Sequence, residues 1–367
     1  MAKRHDKLFA RIASFGALVN AARRALRGKR RKPGAAAFMA GLERECLTLD
    51  RQLLDGSYRP GRCTAFEVKE PKSRIVSAAP FRDRVVHHAL MAVVDPIFEA
   101  GFIDHSIANR KGKGTHRAIK AYEYYRNRHL HVLRCDIFRY FPAIDHEVLK
   151  VAYRRRISCD RTLALLDRIV DASNEQEPVE LYFPGDDLFE PMQRRRGLPI
   201  GNLTSQFFAN LYLDALDHFA TAVLCAPYVR YVDDFALFHD DPAVLRHWQA
   251  EISRHLVARR LRLHPRKTFI QSTGLPATFL GFELFADGGR RLPDGNVQRF
   301  RGRLRRLCDR WRAGTIPRDE IAARVCAWIA HAEHARRAGR PWRRSSALAA
   351  GNDPSSRSAW SGNQRGG

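Results

Sequence analysis

Two aspartates, Asp233 and Asp234, stand side by side in "YVRYVDDFALFHDD", between the apolar runs "YVRYV" and "FALF". The β-branched and aromatic residues on either side predict two strands joined by a turn at the pair. Aspartate suits turns because its side chain bonds nearby backbone N–H groups. Both flanks read as mostly buried, however. Two carboxylates there repel each other and resist desolvation unless a lysine or a metal cancels them. A third carboxylate, Asp136, ends the strand-like run "VLRCD" 97 residues earlier, so only folding can bring it to the pair. Alone it reads equally well as a strand-end cap. Three carboxylates from two strand ends suit a pair of Mg2+ ions, which prefer oxygen ligands and complete their shells with water and substrate phosphates. Two such ions about 4 Å apart can activate an attacking hydroxyl and stabilise a departing pyrophosphate.

The elements that carry these residues follow from the pattern. Residues 1–56 read as helical, with the basic turn "RGKRRKPG" between two helices. Tyr58 to Pro80 alternates with Pro and Gly breaks and predicts short strands and a hairpin. "FRDRVVHHALMAVVDPIFEA" predicts a helix that ends at Asp95-Pro96. A strand over Val132–Ile137 and a turn at Pro142 precede helical patterns to about Ser173 and a long loop, "EQEPVELYFPGDDLFEP". "LTSQFFANLYLDALDHFATAVL" predicts a helix feeding the aspartate hairpin, with Phe207, Phe208 and Tyr212 as core. "PAVLRHWQAEISRHLVARRL" predicts another helix and "TFLGFELF" a strand. From Asn296, the apolar stripe Val297, Phe300, Leu304, Leu307 and Trp311 is surrounded by Arg299, Arg301, Arg303, Arg305 and Arg306. A second helix follows, and the Ser-, Gly-, Asn- and Arg-rich tail reads as disordered. The order describes an α+β core with a helical appendage.

The chain of 367 residues holds 64 Lys and Arg against 39 Asp and Glu, a net charge of +25. Its apolar share, near half, excludes wholesale disorder. Such an excess points to a polyanionic partner, nucleic acid first, with ribosome-like structural binding or an anionic membrane explaining the same charge. Seven single cysteines without a CxxC pair read as reduced cytosolic thiols. No run of 18 apolar residues exists to span a membrane.

"CDIFRYFPAIDH", "GLPIGNLTSQFFANLYLDALDH", "YVDDF", "LRLHPRKTFI" and "FLGFELF" come in the order of reverse-transcriptase motifs, and "KEPKSRIVSAAPFRDRVVHHAL" and "SIANRKGKGTHRAI" resemble the fingers motifs before them. The resemblance covers roughly residues 8 to 340. It implies an α+β right-hand polymerase with fingers, a ferredoxin-like palm and a short helical thumb. The expected divisions are an N-terminal helical extension at 1–56, fingers at 57–130, palm at 131–289 with a helical insertion at about 146–195, thumb at 290–340 and a disordered tail at 341–367. The sequence is most similar to the reverse transcriptases of diversity-generating retroelements, which copy a template RNA with frequent errors at adenines. These work beside a small basic ring-forming accessory protein in a bacterial or phage-encoded, cytoplasmic system. A retron, group II intron or phage-defence reverse transcriptase is the nearest other reading; an inactive RNA-binding scaffold is the reading from another class.

The resemblance also assigns residues. Asp136, Asp233 and Asp234 fall on catalytic metal-binding positions, with the Ile137 carbonyl a further ligand to two Mg2+ ions (Mn2+ able to substitute). Phe141 falls on the gate that excludes a ribose 2′-hydroxyl. Lys72 and Arg74 fall where cations meet the incoming deoxynucleoside triphosphate. Lys267 falls on the position that protonates pyrophosphate or contacts a phosphate. In "LPIGNLTSQ", Ile200 stands where most relatives carry Gln, and Gln206 where they carry Pro; both lie in the nucleotide-binding segment. Loss of a polar contact at Ile200 is expected to weaken base discrimination. Arg82 and Arg84 bind template or cap a helix. Arg299, Arg301, Arg303 and Arg305 grip the duplex of template RNA and cDNA, or form a solvated face.

Overall fold

The computed structural model describes residues 3–68, 73–173 and 181–336. Lys72, part of the long loop and the tail at 341–367 lie outside the described residues. The chain separates into two compact units, Met1–Leu275 and Pro276–Gly367.

In the first unit, helices α1 (Phe9–Ile12), α2 (Phe15–Ala25), α3 (Pro33–Ala40) and α4 (Leu42–Leu54) precede a hairpin of β1 (Thr64–Val68) and β2 (Arg74–Ala78). Ser14 caps α2 by accepting the Ala17 N–H at 3.4 Å. The small side chains of Ala21, Ala22 and Ala25 are buried and let α2 pack against α5 (Phe81–Glu99). Contrary to the sequence expectation, α5 does not stop at Asp95-Pro96 but runs through Pro96 for one more turn. Proline costs a helix one hydrogen bond and some crowding. Phe98, buried and edge-on to Phe207 at 5.5 Å, offsets that cost by holding the last turn in the core.

After α6 (Thr115–Arg126) come β3 (His131–Asp136), α7 (Tyr140–Ala143), α8 (His146–Arg154), α9 (Asp160–Asp171), α10 (Glu190–Gln193) and α11 (Leu203–His218). Strands β4 (Tyr228–Tyr231) and β5 (Asp234–His239), α12 (Pro242–Val257) and β6 (Phe269–Ser272) complete the unit. The four strands form an antiparallel sheet in the order β4-β5-β3-β6. Its core includes Leu133, Cys135, Phe235 and Leu237 from the strands and Phe207, Phe208, Tyr212 and Leu213 from α11. The aromatic residues of α11 are therefore core, as their spacing predicted.

The second unit holds β7 (Ala277–Phe279), β8 (Phe282–Leu284), β9 (Arg290–Arg291), α13 (Asp294–Arg312) and α14 (Arg318–Glu333). "TFLGFELF" is not the single strand expected. Leu280 and Gly281 both take positive φ, 47° and 85°, and fold the segment into a hairpin. Paired positive φ angles match the twist of antiparallel strands, and glycine adopts them freely. The stripe on α13 is used in part, since Trp311 at its end is 46% exposed. Leu307 is buried, and Phe300 stacks on Trp328 of α14 with ring centroids 4.1 Å apart.

Candidate active site

Asp136 closes β3 and Asp234 opens β5, and the two face each other directly in the antiparallel register. Directly opposed residues project to the same face of a sheet. The register therefore brings the carboxylates of two distant segments together. Asp233 sits in the preceding turn, where its carbonyl accepts the Ile137 N–H at 3.2 Å. That bond ties the end of β3 to the turn. The turn bends at Val232, whose φ of 60° is unusual for a β-branched residue.

The segment after α12 closes the other side. The Asp136 carbonyl accepts the His264 N–H at 2.7 Å, and the Arg262 carbonyl accepts the Phe138 N–H at 2.9 Å. Lys267, one turn further on, places its ammonium 2.9 Å from Asp136 Oδ2. Both adjacent carboxyls titrate high. Burial pushes Asp233 up, and repulsion from Asp136 adds to it. Burial pushes Asp234 up to about 7, against the pull of Arg134 and with repulsion from Asp136 and Asp233. The three form an oxygen-only donor set short of positive charge, which suits a hard divalent cation. Among the described residues no group of three or more His, Cys, Asp or Glu side chains is arranged to hold a metal ion as it stands. Lys267 supplies the cation to Asp136 instead. Metal loading would require that carboxylate to turn from the ammonium, with substrate oxygens completing the shell.

The other expected residues divide. Phe141 is half-buried, with its ring edge-on to Tyr140 at 5.6 Å. Its carbonyl accepts the Leu198 N–H at 3.0 Å, which fastens "GLPIGN" beside the segment after β3. Ile200 is half-buried too, and its carbonyl accepts the Ser77 N–H of β2 at 3.0 Å. Asn202 Oδ1 takes the Ala79 N–H at 3.1 Å. Sequence reading passed over Asn202, a polar side chain just before an apolar helix. Gln206 is exposed on the first turn of α11, and Arg74 is exposed on β2. Lys72 lies outside the described residues. Arg82 and Arg84 both have partners within the first unit. Arg82 bonds Gln52 and lies over the Tyr58 ring, and Arg84 donates to the Ala79 carbonyl at 2.9 Å. Arg299, Arg301, Arg303 and Arg305 lie exposed on α13 in the second unit.

Sequence reading also missed Arg230 and Asp217, a buried ion pair beneath the aspartate turn with an N···O distance of 2.5 Å. The signal was present. Arg230 is a charge in the middle of "YVRYV", where both flanks predict burial.

A family model described as reverse transcriptase (RNA-dependent DNA polymerase) matches residues 68–284, more than half of the chain. The chain belongs to the reverse transcriptase family. The matched span includes Asp136, Asp233, Asp234 and Lys267 and carries an RNA-directed DNA polymerase domain of the right-hand class. Such domains generally depend on divalent metal and bind template RNA and nucleotides. The chain is also similar to Protein YkfC of Escherichia coli (strain K12), at 27% identity over 296 residues, covering 69% of this chain and 74% of that protein. Among solved structures it is similar to telomerase from Candida albicans in complex with a TWJ fragment of telomeric RNA, with a TM-score of 0.44 and 14% identity over 65% of this chain and 46% of that one. Apo telomerase from Candida tropicalis, truncated from its C-terminal domain, gives a TM-score of 0.46 and 10% identity over 66% and 58%. The chain thus spans about half the length of those telomerase chains. Among the described residues no helix is long and apolar enough to cross a membrane.

Proposed function

We propose that this reverse transcriptase extends a DNA primer on an RNA template at Asp136, Asp233 and Asp234. The observation that carries the reading is the cross-strand register of Asp136 and Asp234 beside the Asp233 turn, within the span the family model matches. Two Mg2+ ions, held by the three carboxylates with the Ile137 carbonyl as a further ligand, would lower the barrier for primer 3′-oxygen attack on the α-phosphorus. Lys267 sits within reach of the site, 2.9 Å from Asp136, and would release that carboxylate to neutralise or protonate the leaving pyrophosphate. Phe141 would limit room for a 2′-hydroxyl, and Arg74 with Lys72 would meet the triphosphate. Arg299, Arg301, Arg303 and Arg305 would grip the primer–template phosphates. The first unit would hold the N-terminal extension, the fingers and most of the palm; the last part of the palm at 131–289, with β7 and β8, would fall in the second unit ahead of the thumb at 290–340. Extension of a primed RNA by the full chain with Mg2+, against an Asp233→Ala control, tests this. The control should lose at least about a thousandfold in rate, and equal rates would refute the assignment.

The finer reading is error-prone copying at adenines for a diversity-generating retroelement, in a cytoplasmic system with a small basic accessory protein. The motif resemblance supports it, as does Ile200, an apolar side chain within "GLPIGN" where most relatives offer a polar one. All seven cysteines are free thiols, which supports a reducing compartment. Ile200→Gln should lower misincorporation opposite template adenine severalfold with little change at other bases. An unchanged error spectrum would remove Ile200 from the account.

A further inference from the structure

Beneath the aspartate turn lies a guanidinium with every donor used. Arg230, on β4, is 1% exposed. Its Nε and Nη2 grip Asp217 of α11 at 2.6 and 2.5 Å. Nη2 also reaches Ser106 Oγ at 2.7 Å. Nη1 donates to Asn210 Oδ1 at 3.4 Å and to the Val232 carbonyl at 2.9 Å. Tyr228 adds its hydroxyl to Asp217 at 2.9 Å, and the Arg230 backbone pairs with the His105 carbonyl and the Ile107 N–H. A buried ion pair is a weak source of stability, because desolvation offsets its attraction. This one points a donor at the peptide that joins Val232 to Asp233.

We infer that Arg230 is a positioning residue, whose buried fork holds the Val232 carbonyl so that the left-handed bend keeps Asp233 beside Asp136. The inference rests on the polymerase reading of Asp233. Val232 at φ 60° is held against its own preference. A fixed carbonyl sets the plane of the next peptide, and the Asp233 carbonyl in that neighbourhood receives the Ile137 N–H at 3.2 Å. Asp217 orients the fork, and α11 and the 105–108 segment keep it from turning. Lysine has the charge but neither the planar fork nor five donors. Arg230→Lys should therefore leave the turn free to relax.

The test uses the full chain and three readouts: thermal midpoint, single-nucleotide insertion kinetics, and Mn2+ binding followed by water-proton relaxation without substrate. Arg230→Lys, measured at a temperature where it stays folded, should lose about a hundredfold in kcat with KM for the nucleotide changed less than threefold. Its Mn2+ affinity should fall about tenfold. Adding Val232→Gly, which adopts the bend without strain, should recover part of both losses. A role in stability alone predicts a lower thermal midpoint with Mn2+ affinity unchanged and no recovery, and that result would overturn the inference. Should Arg230→Lys not fold, Asn210→Ala loosens the same Nη1 and should weaken Mn2+ binding about threefold; unaltered affinity again overturns it. An inactive parent chain would refute the polymerase reading, whereas an active parent with an unaffected Arg230→Lys would refute this inference alone.

Discussion

Asp234 carries the heaviest electrostatic load at the site, being half-buried opposite Asp136 and next to Asp233. Its folded pKa of about 7 lies above the unfolded value near 4. Between those values the folded chain retains a proton that the unfolded chain has released, so without a cation stability falls as pH rises through that window. At about 1.4 kcal/mol per unit the effect amounts to a few kcal/mol. A bound cation reverses the sign, because it favours the same carboxylate that burial disfavours. Insertion rates at limiting Mg2+ should therefore rise between about pH 6 and 8, and saturating Mg2+ should move the midpoint lower. A midpoint indifferent to Mg2+ would exclude Asp234 as a ligand. At this scale the sequence was legible where charge opposed its surroundings, as at Asp233 and Asp234, whereas Lys267 was marked only by its place in a family motif. It was less so for Phe141 and Ile200, whose half-burial fits a packed side chain and a contact surface alike.

Elements differed from their local patterns where tertiary contacts outweighed propensity. Helix α5 continues through Pro96 because Phe98 has a partner in Phe207, which nothing in the local sequence announces. The segment from Ile200 to Asn202 is irregular backbone fastened to Ser77 of β2 and to Ala79 just beyond it. Gly201 makes this possible. Its φ is 112°, and a Cβ there would lie 2.7 Å from Val76 Cγ1. Gly201→Ala should strain the bend by about 1–3 kcal/mol and push β2 away. The expected result is a KM for deoxynucleoside triphosphate raised about tenfold, with the thermal midpoint down by only a few degrees. A KM equal to that of the parent would show that the docking of β2 on this segment does not shape the nucleotide site.

Over the whole molecule, a net charge of +25 accompanies an acidic centre in the first unit. A polymerase needs both, since its substrate is a polyanion and its chemistry gathers cations on carboxylates. The second unit contributes arginines that are exposed on α13 while Phe300 and Leu307 hold it within its own unit. Replacing Arg301 and Arg305 together by Ala should leave that packing intact and weaken primer–template binding. The slope of log affinity against log salt should flatten by up to about 0.9 for each phosphate no longer neutralised. An unaltered slope would make these arginines a solvated face.

The sequence by itself determined the family order of motifs, the strand-turn-strand around Asp233 and Asp234, the core face of α11 and the apolar stripe of α13. Each depends on periodicity or on residues close in the chain. Only the tertiary structure decided that Asp136 pairs with Asp234 across 98 residues, that Lys267 reaches Asp136, and that Arg230 and Asp217 lie under the turn. Register and burial are properties of segments brought together by the packing of α11 and α12 on one sheet, and no local spacing encodes them.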